Sequence, residues 1–212
     1  MARTREGPSE RSAEVCAPVL MVEPAADRVE EALRAGELAC PDCAGELGPW
    51  GSTPPRHLWS LIGRVLLPKR RSRCRACGKT HVLEPTSCLS RRVHLAEVIG
   101  EALRLKAAGS GHRAVAAELG VAPTTVRGWL RRFATRAERI RAHFTGWAYH
   151  LDPSLGEIAP RASPFADAME AVAVAHRAAA GRLGPSPVWA FASGATAGLL
   201  LCNTDSPFPA PR

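Results

Sequence analysis

The chain has 212 residues, 46% of them hydrophobic and 23% charged. That length holds one ordinary domain or two small ones and excludes most large enzyme barrels. The composition excludes wholesale disorder, and with only 5% aromatic residues the core must rest on Leu, Val, Ile and Ala. The formal net charge of +8 is unevenly placed. Residues 1–46 carry 5 basic and 10 acidic side chains, residues 47–144 carry 19 and 5, and residues 145–212 carry 4 and 5. A basic central block between acidic and near-neutral flanks is the electrostatic footprint of a polyanion-binding surface. Of the 28 basic residues 25 are Arg. A GC-rich coding sequence produces such a bias, so the placement of the charge carries the information rather than its identity.

The first fourteen residues mix charges of both signs without an apolar run, so no secretion signal is expected. The longest uncharged apolar stretch, 187–202, is 16 residues, short of the roughly 18–20 that span a bilayer. A cytoplasmic, nucleoid-associated location with no membrane partner follows as the expectation. Seven Cys in such a chain are read for metal rather than disulfides.

In chain order, residues 1–25 read as a polar, Pro-bearing tail in which Met21 is a second candidate start. Residues 26–90 read as a zinc-ribbon domain with a short leading helix over 27–38 that ends at Gly36. Its candidate strands are 57–59, 64–67 and 80–83. Residues 91–146 read as a helix-turn-helix domain. Leu95, Val98, Ile99, Ala102 and Leu103 recur at helical spacing, and the helix stops near Gly109. A short helix over 112–119 ends at Gly120. A third begins with Pro123 in its first turn. Its apolar stripe (Val126, Trp129, Leu130, Phe133, Ala137, Ile140, Phe144) predicts an unbroken run to about residue 144. Residues 147–202 read as a helical hairpin. Ser163 caps a helix to about residue 183, and Ser186-Pro187 starts an apolar helix ending near Cys202. Residues 203–212 read as a disordered tail. The fold class is therefore mainly α with a small β zinc ribbon, a three-helix unit followed by two C-terminal helices.

Cys40-Pro-Asp-Cys43 and Cys74-Arg-Ala-Cys77 are two C-x2-C pairs separated by 30 residues. Two thiolates three positions apart on a tight turn reach one tetrahedral ion, with Zn–S near 2.3 Å. The small residues that follow, Ala44-Gly45 and Gly78, let backbone N–H groups turn toward sulfur. Four thiolates leave no open coordination position, so Zn2+ held by Cys40, Cys43, Cys74 and Cys77 is structural. Redox dithiols need a βαβ pattern that neither pair has. His81 and Cys88 stand as substitute ligands. The run Lys69, Arg70, Arg71, Arg73 leads into the second pair, so the ion would hold a cationic loop in place for DNA.

Residues 112–131 carry the helix-turn-helix pattern. Ala116 is the small residue where two helices cross, and Gly120 supplies the left-handed turn. Val115, Leu119, Val121, Val126 and Trp129 are the apolar contacts. On the second helix Thr124, Thr125, Arg127, Arg131 and Arg132 are the candidate contacts to double-stranded DNA. Arg reaches guanine edges or phosphates, and Thr hydroxyls do likewise. Gly128 in mid-helix costs about 1 kcal/mol relative to Ala and suits a close approach to the DNA backbone.

The order C-P-D-C, R-C-R-A-C-G-K-T-H-V-L, A-E-V-I-G-x-A-L and G-H-R-x-V-A-x-x-L-G-V-A-P-T-T-V-R-G-W-L-R-R-F resembles a group of uncharacterised actinobacterial helix-turn-helix proteins over roughly residues 26–200. It is also similar to the zinc-ribbon and helix-turn-helix part of insertion-sequence transposases. The resemblance implies DNA binding, zinc on Cys40, Cys43, Cys74 and Cys77, and a recognition helix over 123–133. Ala122 replaces the Ser or Thr often found as the cap there.

Strand-transfer chemistry needs two or three converging carboxylates on Mg2+. After residue 144 only Asp152, Glu157, Asp167, Glu170 and Asp205 remain, too few residues for a nuclease fold. No nucleophile–base pair, phosphate loop or small-molecule substrate site is evident, so no catalytic residue is assigned and an enzyme is not expected. The function expected is a DNA-binding transcriptional regulator or a mobile-element targeting module. A truncated transposase without a catalytic centre and a protein-interaction adaptor are the alternatives. The two C-terminal helices bury against the long third helix or against a second copy, and a homodimer would match palindromic half-sites.

Overall fold

The computed structural model describes residues 20–202 and 208–210. Thirteen elements follow in order: β1 Leu20–Val22, α1 Ala26–Ala35, β2 Leu47–Ser52, β3 Arg56–Ser60, β4 Gly63–Leu67, β5 Arg70–Cys74, β6 Thr80–Pro85, α2 Ala96–Ala107, α3 His112–Leu119, α4 Pro123–Ala134, α5 Ala137–Leu151, α6 Pro164–Leu183 and α7 Val188–Ala195. They form a sheet part, a separate β3–β4 hairpin and a helical part.

The sheet has the order β1-β6-β5-β2, parallel between β1 and β6 and antiparallel elsewhere. Two departures from the sequence reading lie here. Residues 20–22 form the parallel edge strand rather than part of a tail, because Val22 is buried in the small core against Leu83 and the Thr86 N–H donates to its carbonyl at 2.9 Å. Residues 1–19, the rest of that expected tail, lie outside the described residues, as does Cys16. The basic run 70–74 is an inner strand, not a loop, with Ser72 and Cys74 turned inward. Alternation, not overall polarity, decides which side chains of a strand are buried. Helix α1 covers this sheet with Val29 and Leu33 and ends at Gly36, whose φ of 71° permits the left-handed cap.

The helical part rests on a single large cluster in which Phe133, Phe144, Ile99, Leu103, Ile140, Leu200 and Leu201 are fully buried. Helices α2, α3 and α4 form the three-helix unit. The expected long third helix breaks at Thr135–Arg136 into α4 and α5. The Thr135 hydroxyl donates to the Arg132 carbonyl at 3.1 Å and the Arg136 N–H to the Phe133 carbonyl at 3.1 Å, so the last carbonyls of α4 are satisfied locally. The apolar stripe continues across the break, which is why periodicity alone reads one helix. Helix α6 packs mainly on α5, and α7 on α2 and α6. The C-terminal helices thus cover their own chain.

Ser163 caps α6, its Oγ accepting from the Ala166 N–H at 3.2 Å. Helix α7 starts at Val188, with Pro187 as an N-cap that makes no side-chain bond, and ends at Ala195 rather than near Cys202. Ala197 and Gly198 take φ of 49° and 72°, and the Gly198 N–H returns to the Ser193 carbonyl at 2.7 Å. The following residues double back, so that Gly198 O accepts from the Ser90 N–H at 2.9 Å. Of the expected disordered tail, residues 203–207 and 211–212 lie outside the described residues. Phe208 packs on the helical core, with Arg139 over its ring at 4.5 Å.

Candidate nucleic-acid interface and metal centre

The two C-x2-C turns face one another at the end of the sheet. Cys40 N–H donates to the Gly45 carbonyl at 2.8 Å, and Cys74 N–H to the Lys79 carbonyl at 2.8 Å, folding each turn back on itself. The four sulfurs lie within 4.8 Å of one another, with Cys40 and Cys77 Sγ 3.8 Å apart and Cys43 and Cys74 Sγ 3.5 Å apart. A tetrahedral ion with metal–sulfur bonds near 2.3 Å requires sulfurs about 3.8 Å apart. The thiols therefore fit a metal ion such as zinc. Gly45 is needed for the approach: a Cβ there would stand 2.7 Å from the Ala76 Cβ and 3.2 Å from the Cys74 Sγ.

The electrostatics favour thiolate formation at one sulfur. The Cys77 N–H, 3.4 Å from Cys74 Sγ, pulls that thiol down to about 6 against the effect of burial, with Cys43 and the Ala76 N–H assisting. At Cys43 the Gly45 N–H acts in the same downward sense, but hydrogen bonding with Cys74 and Cys77 outweighs it and pushes that thiol up to about 12. Metal binding at such a cluster releases the remaining protons. Of the two substitute ligands, His81 is adjacent, its Nε2 3.4 Å from Cys40 Sγ and 4.0 Å from the Asp42 carboxylate. Cys88 is not among the clustered ligand atoms, and burial pushes its thiol up to about 11.

Half of the basic run is answered by carboxylates. Lys69 Nζ lies 2.5 Å from Glu84 and both are mostly buried. Arg70 pairs with Glu30 of α1 and donates to Ser52 Oγ at 2.7 Å. Arg73 stacks over Trp50 at 4.7 Å and donates to the Gly78 carbonyl at 3.1 Å. Arg71 is half-buried on β5. Lys69 and Arg70 thus hold the sheet to its surroundings, a role that a reading of charge alone does not reveal.

The helix-turn-helix residues are placed by α3 and α4. Gly120 has a φ of 62° and its N–H returns to Ala116 and Ala117. Val115, Ala116, Val126 and Trp129 are buried, and Leu119 and Val121 pack partly exposed against the same core. Ala122 caps α4 without a side-chain bond and Pro123 occupies its first turn. Thr124, Arg127 and Arg131 are exposed, and Thr125 and Arg132 half-buried. These five line one open groove of about 710 Å3 with Gly128, Trp129 and Arg92. None of its lining residues is acidic. Among the described residues no carboxylate lies within ion-pair distance of Arg127 or Arg131. A Cβ at Gly128 would meet the Arg132 Nη1 at 3.0 Å, so the glycine lets that side chain lie along the helix.

Arg92 escaped the sequence reading. It sits in the loop before α2, donates to the Leu201 carbonyl, and its guanidinium is held below its usual range by burial first and by Arg132 second. Only the fold brings it to α4, so no local sequence signal marks it. His94, edge-on to Trp129 at 4.9 Å, is likewise lowered by burial.

A family model described as a homeodomain-like domain matches residues 96–142. The match covers α2, α3, α4 and the start of α5, and a homeodomain-like helix-turn-helix points to DNA binding. No curated protein and no solved structure matches the chain.

Proposed function

We propose that the protein binds duplex DNA at specific sites, as a transcriptional regulator or as the targeting module of a mobile element, with α4 in the major groove and a structural zinc ion on Cys40, Cys43, Cys74 and Cys77. The observation that carries this reading is the exposed face of α4. It sets Arg127, Arg131, Arg132, Thr124 and Thr125 along one groove, which Arg92 joins from the loop before α2, and no carboxylate is among the lining residues. Arg127 and Arg131 are one turn apart on that face, the spacing that lets both reach base edges in one groove. Thr124 and the open first turn of α4 present donors to a phosphate. Zinc at the four thiolates would supply cross-linking rather than reaction chemistry, because no coordination position stays open.

We read the protein as a binder rather than an enzyme. The C-terminal carboxylates support this: Glu170 pairs with Arg161 and Arg177, and Asp167 accepts from the Arg161 N–H at 2.5 Å. Neither presents an open oxygen pair to a metal ion.

Selection of bound sequences from a random duplex pool, with and without chelator, tests the proposal. The expected result is one enriched motif. Arg127→Ala or Arg131→Ala then lose about 1–3 kcal/mol at that motif where the residue reads a base. Uniform retention, or none, overturns it, as does binding that is unchanged between about 50 and 200 mM salt. Fewer than half an equivalent of zinc in the native protein overturns the assignment of the ion.

A further inference from the structure

We infer that the β3–β4 hairpin is a second DNA contact, its Leu61–Ile62 tip entering the minor groove beside the segment taken by α4. The inference rests on the DNA-binding reading of α4. Four observations carry it.

The first is exposure. Ile62 at the tip is 97% exposed and Leu61 53%. Trp59 and Leu66 are also exposed on the outward face of the hairpin. A projecting apolar pair is costly in water unless something covers it.

The second is charge. Arg56, His57 and Arg64 accompany these apolar groups, and no carboxylate occurs between residues 47 and 83. Arg64 lies opposite Trp59 in the register and its guanidinium stands 5.6 Å from that ring. The nearby acid, Glu97, is engaged: its Oε1 accepts from the Leu61 N–H at 3.3 Å. Cationic surface around an apolar tip complements a polyanion with stacked bases and disfavours an all-apolar or basic protein face.

The third is rigidity. Leu58 is buried beneath the hairpin. The Trp59 N–H donates to the Val93 carbonyl at 2.8 Å, and the Leu95 N–H to the Trp59 carbonyl at 2.9 Å, which fastens β3 to the entrance of α2. The turn is closed by Ser60, whose Oγ donates to the Gly63 carbonyl at 2.9 Å and accepts from the Ile62 N–H at 3.3 Å. The tip is therefore presented in place before binding, which spares ordering cost.

The fourth is position. Trp59 and Ser60 share a cavity of about 250 Å3 with Val121, Ala122 and Thr125 at the start of α4. Thr125 also lines the arginine groove. The hairpin and the face of α4 are thus parts of one continuous surface. Apolar side chains inserted between base steps unstack them and kink the duplex by about 20–90°. Leu61 and Ile62 are the side chains placed to do so.

The test uses the full zinc-loaded chain and the duplex recovered by the selection above. Its readouts are hydroxyl-radical footprinting and the end-to-end distance by energy transfer. The wild type is expected to protect a minor-groove patch on one side of the α4 site and to bend the duplex by at least about 20°. Ile62→Ser with Leu61→Ser should lose the bend and that patch and keep the α4 footprint. Arg64→Ala should lower the slope of log K against log salt by about one. All three side chains are exposed, and unchanged melting curves verify that the variants are folded. Arg127→Ala should instead erode the α4 footprint. A wild-type footprint confined to the α4 site, or one that the tip variants leave unchanged, overturns the hairpin contact while the reading of α4 stands. No footprint for the wild type overturns both. A dimer lost in Ile62→Ser with an unchanged footprint also overturns the inference and assigns the tip to self-association.

Discussion

The sheet part and the helical part are stabilised by different means. Among the described residues the buried apolar cluster of the sheet has seven members, and two of them, Cys40 and Cys74, are candidate metal ligands. The helical cluster has 26 and includes Phe133, Phe144 and Trp129. A core of the first size supplies little burial with which to order its chain, and a metal ion across the two C-x2-C turns, as proposed, would contribute much of the difference. The two parts also use cations differently. In the sheet part Lys69, Arg70, Arg75 and Lys79 are each paired with Glu84, Glu30, Glu46 and Asp42. On α4, Arg127 and Arg131 face an open groove. Charge of one sign therefore serves cohesion in one region and stays open in the other, where the proposed function uses it for recognition, and only the partners distinguish them.

The contrast is broken most strongly by removing the proposed ion. Structural zinc sites contribute on the order of 10 kcal/mol. Chelation should therefore abolish the sheet part's protection from hydrogen exchange and leave α2–α7 protected, a split that exchange measured by mass spectrometry resolves. Simultaneous loss in both parts would show that the helical core does not stand alone. The matching blow to the helical part is Gly100→Ala. Its Cβ would lie 2.0 Å from the Trp189 ring. Such overpacking typically costs about 1–3 kcal/mol, occasionally more, and should lower the helical melting temperature without changing zinc content. Gly45→Ala should act conversely. Its Cβ crowds Ala76 and the Cys74 sulfur, so zinc affinity should drop by about tenfold or more in competition with a coloured chelator, while the helical melt stays in place.

The helical part was the more legible in sequence because its signals are local. The stripe Val126, Trp129, Phe133 and Ile140 and the turn at Gly120 declare themselves within a few residues. So do the two C-x2-C pairs, whose spacing is the geometry itself. What stayed hidden depends on partners far along the chain. Strand β5 reads as a charged loop until β2 and β6 flank it. Strand β2 contains Gly48, Pro49 and Gly51, residues that ordinarily mark turns. Arg92 reaches the α4 groove through the loop before α2, and the turn at Ala197–Gly198 that shortens α7 is drawn back to Ser90. None of these has a periodicity to betray it.

The smallest expected effect is on pH dependence, and it sharpens the comparison because it belongs to the helical part. Burial holds the His143 imidazole below its ordinary range, opposed by hydrogen bonding to the Ala195 carbonyl at 2.9 Å. Burial lowers His94 as well. Between the depressed folded value and about 6.5, the ordinary unfolded value, the unfolded chain binds more protons than the folded one. Stability therefore rises with pH through that window and is lost as pH falls below about 6.5, by at most about 1.4 kcal/mol per pH unit for each histidine. Urea unfolding of the helical part, followed by hydrogen exchange at pH 7 and pH 5.5, should show the loss. His143→Gln keeps a donor for the Ala195 carbonyl and removes one of the two titrating groups, so it should reduce the dependence to the part that His94 contributes. Protons would also compete with the proposed zinc ion for the sulfurs, so acid should weaken the sheet part too. The glutamine variant separates the two causes, since it lessens only the helical response. An unaltered slope of the helical part in that variant would leave His94 as the source of its pH sensitivity, and a loss of protection confined to the sheet part would place the acid lability in the thiolate cluster.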